Sequence, residues 1–192
     1  LKFYFQSLSL SKKQHDNVSV AKVYKNIGAV YSEQKDFKSA LDYYHEALQI
    51  LGNPGDPGVR ADCLNNIGVV YEQQQRFKAA KKAYVEALDI YEKQQDAPRV
   101  SMALNNLAIV SKYLGQYDEA VRSYRRALTL AQRSRDDFME AATLNNLGNV
   151  YLLQAKYEKA LDACRESHQK ALAIKAQEIV VESLDGMATA YE

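Results

Sequence analysis

Apolar residues along this chain follow a helical spacing that restarts at a fixed interval. In residues 98–137, Leu104, Leu107 and Ala108 fall at i, i+3 and i+4, and Ser111 continues that face at i+7. A short turn at Gly115-Gln116 leads into a second amphipathic stretch carrying Tyr117, Ala120, Tyr124 and Ala127. The pattern predicts two antiparallel helices joined by a turn too short for anything else. A forty-residue step reproduces it: Leu64-Asn65-Asn66-Ile67-Gly68, Leu104-Asn105-Asn106-Leu107-Ala108 and Leu144-Asn145-Asn146-Leu147-Gly148. The frame extends to Tyr24-Lys25-Asn26-Ile27-Gly28 upstream and Leu184-Asp185-Gly186-Met187-Ala188 downstream. Such a period is the signature of a solenoid, whose helix pairs bury their apolar faces on their neighbours.

The second helices share the frame. Phe37, Phe77, Tyr117 and Tyr157 open them, and Ala40, Ala80, Ala120 and Ala160 follow three residues on. Tyr44, Tyr84 and Tyr124 come next, then Ala47, Ala87 and Ala127. Small residues let helix axes approach, and the aromatics fill the remaining volume. Asp16, Asp56, Asp96 and Asp136 stand just before first helices, where a carboxylate accepts orphan backbone N–H groups and complements the helix dipole. Pro54, Pro57 and Pro98 lie in the same connectors. The fourth unit departs from the pattern. Its Lys170-Ala171-Leu172-Ala173-Ile174 resembles Glu86-Ala87-Leu88-Asp89-Ile90, but 84 residues on. This predicts one extra turn in its second helix, offset by a shorter connector at Ala176.

Leu1–Ser7 align with Leu41–Ala47, so the chain is expected to start in a second helix and end in a first. The expected organisation is a single array over residues 1–192, a window from a longer one. It comprises a half repeat 1–15, repeats 18–55, 58–95, 98–135 and 138–176, and a half repeat 178–192.

Composition changes this picture little. Lys and Arg number 25 against 24 Asp and Glu, a near-neutral balance that argues against nucleic acid as a partner. No apolar run approaches the ~20 residues of a membrane span, so no membrane association is expected. Cys63 and Cys164 sit in different helix types and are expected to be reduced thiols packed as small hydrophobes, which suits a cytoplasmic protein.

The repeat resembles the tetratricopeptide repeat in its longer forty-residue form. That family places a small residue at Gly28, Gly68, Ala108, Gly148 and Ala188, Tyr three later, and Ala and aromatic positions in the second helix as quoted above. The resemblance covers essentially the whole chain. It implies an all-α fold, a right-handed α-solenoid of antiparallel helix pairs, and protein binding in a concave groove lined by the first helices.

The face of each first helix left over from the core carries the candidate binding residues. They are Lys22, Lys25 and Asn26 in the first unit and Asn65 and Asn66 in the second. Asn105, Asn106, Ile109 and Tyr113 follow in the third, and Asn145, Asn146 and Asn149 in the fourth, beside Leu152 and Leu153. An Asn amide offers donor and acceptor together and matches an extended peptide backbone. The ladder Asn66, Asn106 and Asn146 is favoured for this role. In the other reading, one Asn of each pair bonds a neighbouring helix or loop.

Chaperone-binding members of the family grip a carboxylate with basic groove residues. Here the aligned positions hold Lys25, Ala29, Asn66, Met102 and Asn106, with one base among them. The surface instead runs from basic (Lys22, Lys25) through apolar to acidic (Glu182, Asp185), which suits an amphipathic peptide or helix.

Enzyme chemistry and cofactors find no support. His15, His45 and His168 occupy unrelated repeat positions and are expected to be solvated. No Gly-rich phosphate loop exists, and the 14 tyrosines sit mainly at core positions. Arg122, Arg125, Arg126, Arg133 and Arg135 read as a solvated outer face. The expected function is a non-catalytic scaffold for a protein or peptide ligand. The alternative is a regulatory or sensor segment of a larger signalling protein. Apolar ends are expected to allow self-association.

Overall fold

A computed structural model describes residues 2–52 and 55–191, except the side chain of Phe5; the expectations for Leu1, Phe5 and Pro54 lie outside this set. Among the described residues the chain is all helix: α1 Lys2–Lys13, α2 Asn17–Glu33, α3 Phe37–Leu51, α4 Pro57–Gln73 and α5 Phe77–Lys93, then α6 Ala97–Tyr113, α7 Tyr117–Ser134, α8 Asp137–Leu153, α9 Tyr157–Ala173 and α10 Gln177–Tyr191. Two compact units divide it, residues 1–95 and 96–192. In the first, α2 pairs with α3 and α4 with α5, while α1 packs on α2 and α3 on α4. In the second, α6 pairs with α7 and α8 with α9, α7 packs on α8, and α10 closes on both α9 and α8. Each unit is thus a stack of antiparallel helix pairs, the α-solenoid arrangement.

The helix starts follow the sequence chemistry. Asp16, Asp56, Asp96 and Asp136 accept the backbone N–H three residues on, at 3.0, 2.8, 3.1 and 3.0 Å. Asp36 caps α3 in the same way, a cap outside the forty-residue series. The helix ends show a feature that residue types did not reveal. Left-handed residues recur every twenty positions: His15, Lys35, Gly55, Gln75, Gln95, Gly115, Arg135, Ala155 and Lys175. Behind several of them an N–H closes back on a carbonyl five residues upstream, as Asp36 does on Tyr31 and Lys156 on Tyr151. These closures satisfy the orphan carbonyls of the last turn. Only two of the nine positions are glycine.

The core explains the small-residue positions. A Cβ on Gly28 would lie 2.7 Å from the Tyr44 ring, and one on Gly68 would lie 2.5 Å from Tyr84. Both rings are fully enclosed. The fourth pair corrects the expected extra turn. α9 has 17 residues, as α5 does, and stays in the forty-residue frame. Cys164 takes the slot of Tyr124, and Ser167 that of Ala127, all four buried. The Lys170–Ile174 match was four residues out of register, because buried volume and not local similarity sets the frame. Cys164 Sγ leaves room for closer backbones. A Cβ on Gly148 or Gly186 would approach that sulfur to 2.5 and 2.8 Å. Ser167 Oγ donates to the Ala141 carbonyl at 2.8 Å, and Ser101 Oγ donates to that of Ala127 at 3.2 Å. The hydroxyl switches helix between these two pairs but bonds the same kind of partner.

Candidate functional site

Two of the candidate groove residues named from sequence tie first helices together. In the first unit Lys25 Nζ donates to Asp62 Oδ2 at 2.9 Å, and the Tyr91 hydroxyl donates to Asp62 Oδ1 at 3.0 Å. One carboxylate thereby holds α2, α4 and α5. In the second unit Asn145, 2% exposed, donates from Nδ2 to Glu182 at 2.7 Å. Asn65 is also buried. So Lys25 and Asn145 follow the structural reading of the paired positions. Lys22 is exposed, and Asn26, Asn105, Asn106 and Asn146 are half-buried. Ile109 packs against the core cluster around Tyr124 and Tyr151.

The remaining residues gather at two open cavities. In the first unit a hollow of about 210 Å³ is lined by Asn66 with Ala29, Val69 and Gln73, and beyond them by Ser32, Glu33 and Tyr44. Burial raises the Tyr44 hydroxyl above its usual range, and a hydrogen bond with Asn66 pulls the other way. In the second unit a larger cavity of about 660 Å³ opens between the C-terminal ends of α6 and α8. Tyr113, Asn149, Leu152 and Leu153 were named from sequence and line it. Lys112, Tyr117 and Thr189 also line it and were missed. Tyr117 opens α7 and Thr189 lies on α10, so their arrival at this cavity depends on how neighbouring helices pack.

A tetratricopeptide repeat profile matches residues 19–93 and 99–177. The chain belongs to the tetratricopeptide repeat family. No curated protein matches it at the level of sequence. Several solved structures share the fold of this repeat protein. BtubC (BKLC) from P. vanneervenii superposes with a TM-score of 0.77 at 20% identity, covering 99% of this chain and 85% of that one. A signal transduction ATPase with numerous domains and a tetratricopeptide repeat sensor, from Pyrococcus horikoshii, gives 0.85 at 18%, covering 98% of this chain and 30% of that one. A Rap protein complexed with competence and sporulation factor gives 0.73 at 20%, covering 96% and 55%. The family is one of protein-interaction and regulatory modules.

Elsewhere the repeat protein departs from two expectations. Arg125 does not belong to a merely solvated face: its Nη2 donates to the Tyr151 hydroxyl at 2.9 Å, and Arg165 donates to Tyr191 at 2.6 Å. Forty-residue periodicity generates both clasps. His168 is half-buried, with Nδ1 3.1 Å from Ser183 Oγ. That hydroxyl also donates to the Val180 carbonyl at 2.9 Å. Cys63 and Cys164 are free and buried, as expected. Among the described residues no cluster of metal-ligand type occurs, and no helix is long and apolar enough to cross a membrane.

Proposed function

We propose that this repeat protein is a non-catalytic scaffold that binds a peptide or helix along the first helices of its second unit. The single observation that carries the reading is the cavity of about 660 Å³, because four of its lining residues stand at positions that the family resemblance assigns to the groove. Its walls combine exposed apolar side chains with the amide of Asn149, the mixture that orients a ligand in a largely apolar site. Buried reduced thiols suit a cytoplasmic setting. The regulatory reading remains the second choice. It draws support from the Pyrococcus horikoshii ATPase, a protein with a tetratricopeptide repeat sensor, 30% of whose chain this one covers.

Selection of random peptides on the immobilised chain tests the scaffold reading. Bound peptides should lose about tenfold or more in affinity to Tyr113→Ser, a change of about 1.4 kcal/mol, while Lys22→Ala in the other unit leaves them unaffected. Selection of no peptide, or loss only with Lys22→Ala, would refute it.

A further inference from the structure

One more cavity of the first unit lies mainly against a second helix. It is a hollow of about 440 Å³ lined by Tyr24 of α2 and by Ser39, Asp42, Tyr43 and Glu46 of α3. Rings form its wall: Tyr43 stacks on Tyr31 with centroids 5.4 Å apart and planes 7° apart, and Tyr24 stands 5.9 Å from Tyr43 at 43°. Tyr24 and Tyr43 are half-buried, while Asp42 and Glu46 are exposed. We propose that this hollow receives an arginine side chain of a partner polypeptide.

The charge of the hollow is unbalanced. Asp42 and Glu46 stand four residues apart on α3, where like charges repel. Neither accepts a hydrogen bond or forms an ion pair among the described residues. A cation set between them relieves that repulsion. The edge of the hollow already holds one cation. Lys12 Nζ lies 5.4 Å from the centre of the Tyr24 ring. A hydrogen bond with Tyr24 and, to a smaller extent, the charge of Glu46 hold Lys12 above the usual lysine range. One ammonium offsets one carboxylate and leaves the other for an incoming charge. A guanidinium suits the remainder better than a second ammonium, because it lies flat on a ring while its forked donors reach two carboxylates. The exposed acids meet a side chain that projects from another chain.

Packing of the repeat does not call for these residues. Forty-residue steps put Leu64, Leu104 and Leu144 in the place of Tyr24, and Ala83, Ser123 and Ala163 in the place of Tyr43. Lys82 and Arg122 stand where Asp42 does. The acids recur as Asp162 and Glu166, but beside Ala163. The first unit alone joins both rings to both acids.

The test follows tyrosine ring signals by NMR at low salt, with Tyr24 and Tyr43 assigned through their Phe variants and every variant checked by thermal melts. The probe is an acetyl-Gly-Arg-Gly amide peptide, with citrulline in place of arginine as its neutral counterpart. The arginine peptide should shift Tyr24 and Tyr43, and added salt should weaken it. The double variant Asp42→Asn, Glu46→Gln should bind about threefold or more weakly, the scale of exposed ion pairs. Lys12→Met should bind more tightly, since it removes the resident cation. No shift at millimolar peptide, equal shifts with citrulline, or unchanged binding in the double variant would overturn the proposal. Methylguanidine binding as tightly as the peptide would assign the hollow to a small guanidinium compound and overturn the polypeptide partner.

Discussion

Burial governs the chemistry of the two cysteines. Desolvation pushes the Cys63 thiol up to about 12, and it raises Cys164 as well. Between the ordinary thiol value and 12, the unfolded chain releases the Cys63 proton and the folded chain keeps it. The unfolded state then binds fewer protons, so stability falls as pH rises through that window. Melting temperature should drop from about pH 9 upward, with a shallower slope in Cys63→Ala. Thiolate-dependent reagents should react slowly with the native chain at pH 8 and should count two thiols after denaturation. A second residue-scale case is Glu140, 6% exposed, which accepts from Lys170 at 3.0 Å and from Gln132 at 3.1 Å. Lys170→Met leaves that carboxylate short of a partner and should cost about 1–3 kcal/mol in urea unfolding. An unchanged midpoint would show that Gln132 and water suffice.

At the scale of the helix, the caps carry a prediction that sequence made and one that only geometry could make. Asp136 accepts the Met139 N–H, so Asp136→Ala should destabilise by about 1 kcal/mol. Hydrogen bonds from Ser19 and Ser39 hold Asp16 and Asp36 below the usual carboxylate value. Their contribution is present above that value and is lost as pH falls through the depressed one. An acid titration followed by circular dichroism should show helix loss beginning below about pH 4. At the other helix end, Ala155 sits at φ 54°. A Cβ there costs about 1 kcal/mol, so Ala155→Gly should raise stability by a fraction of that after its extra unfolded-state entropy is counted. The Asp caps were legible because cap chemistry is local. The left-handed positions were not, because seven of the nine carry side chains that no turn rule marks.

For the molecule as a whole, the exposed apolar helix faces set how it behaves in solution. Val181, Leu184 and Tyr191 of α10 are 65%, 49% and 69% exposed, and Phe3 and Leu10 of α1 are 81% and 58% exposed. Uncovered faces of solenoid helices tend to pair. Light scattering should therefore show self-association that grows with concentration and weakens in Leu184→Glu. A monomer at millimolar concentration would count against it.

The amino-acid sequence by itself determined the repeat length, the helix pairs, the start caps and the small-against-aromatic core, since each depends on periodicity or on neighbours within a few residues. It also assigned Tyr113, Asn149, Leu152 and Leu153 to the face left over from the core, and the four line one cavity, because a constant helical phase carries position into direction. Tertiary structure decided which paired polar residue works inside the fold. Asn145 and Lys25 are taken up because acids stand at Glu182 and Asp62 on the next first helix, and Asn105 is not because Ala142 stands in that place. It also decided that Cys164 holds the tyrosine slot, that Arg125 clasps Tyr151, and that Lys112 and Thr189 join the cavity. Each of these depends on what a second or third helix brings within a few ångströms, and a one-dimensional pattern carries no such distance.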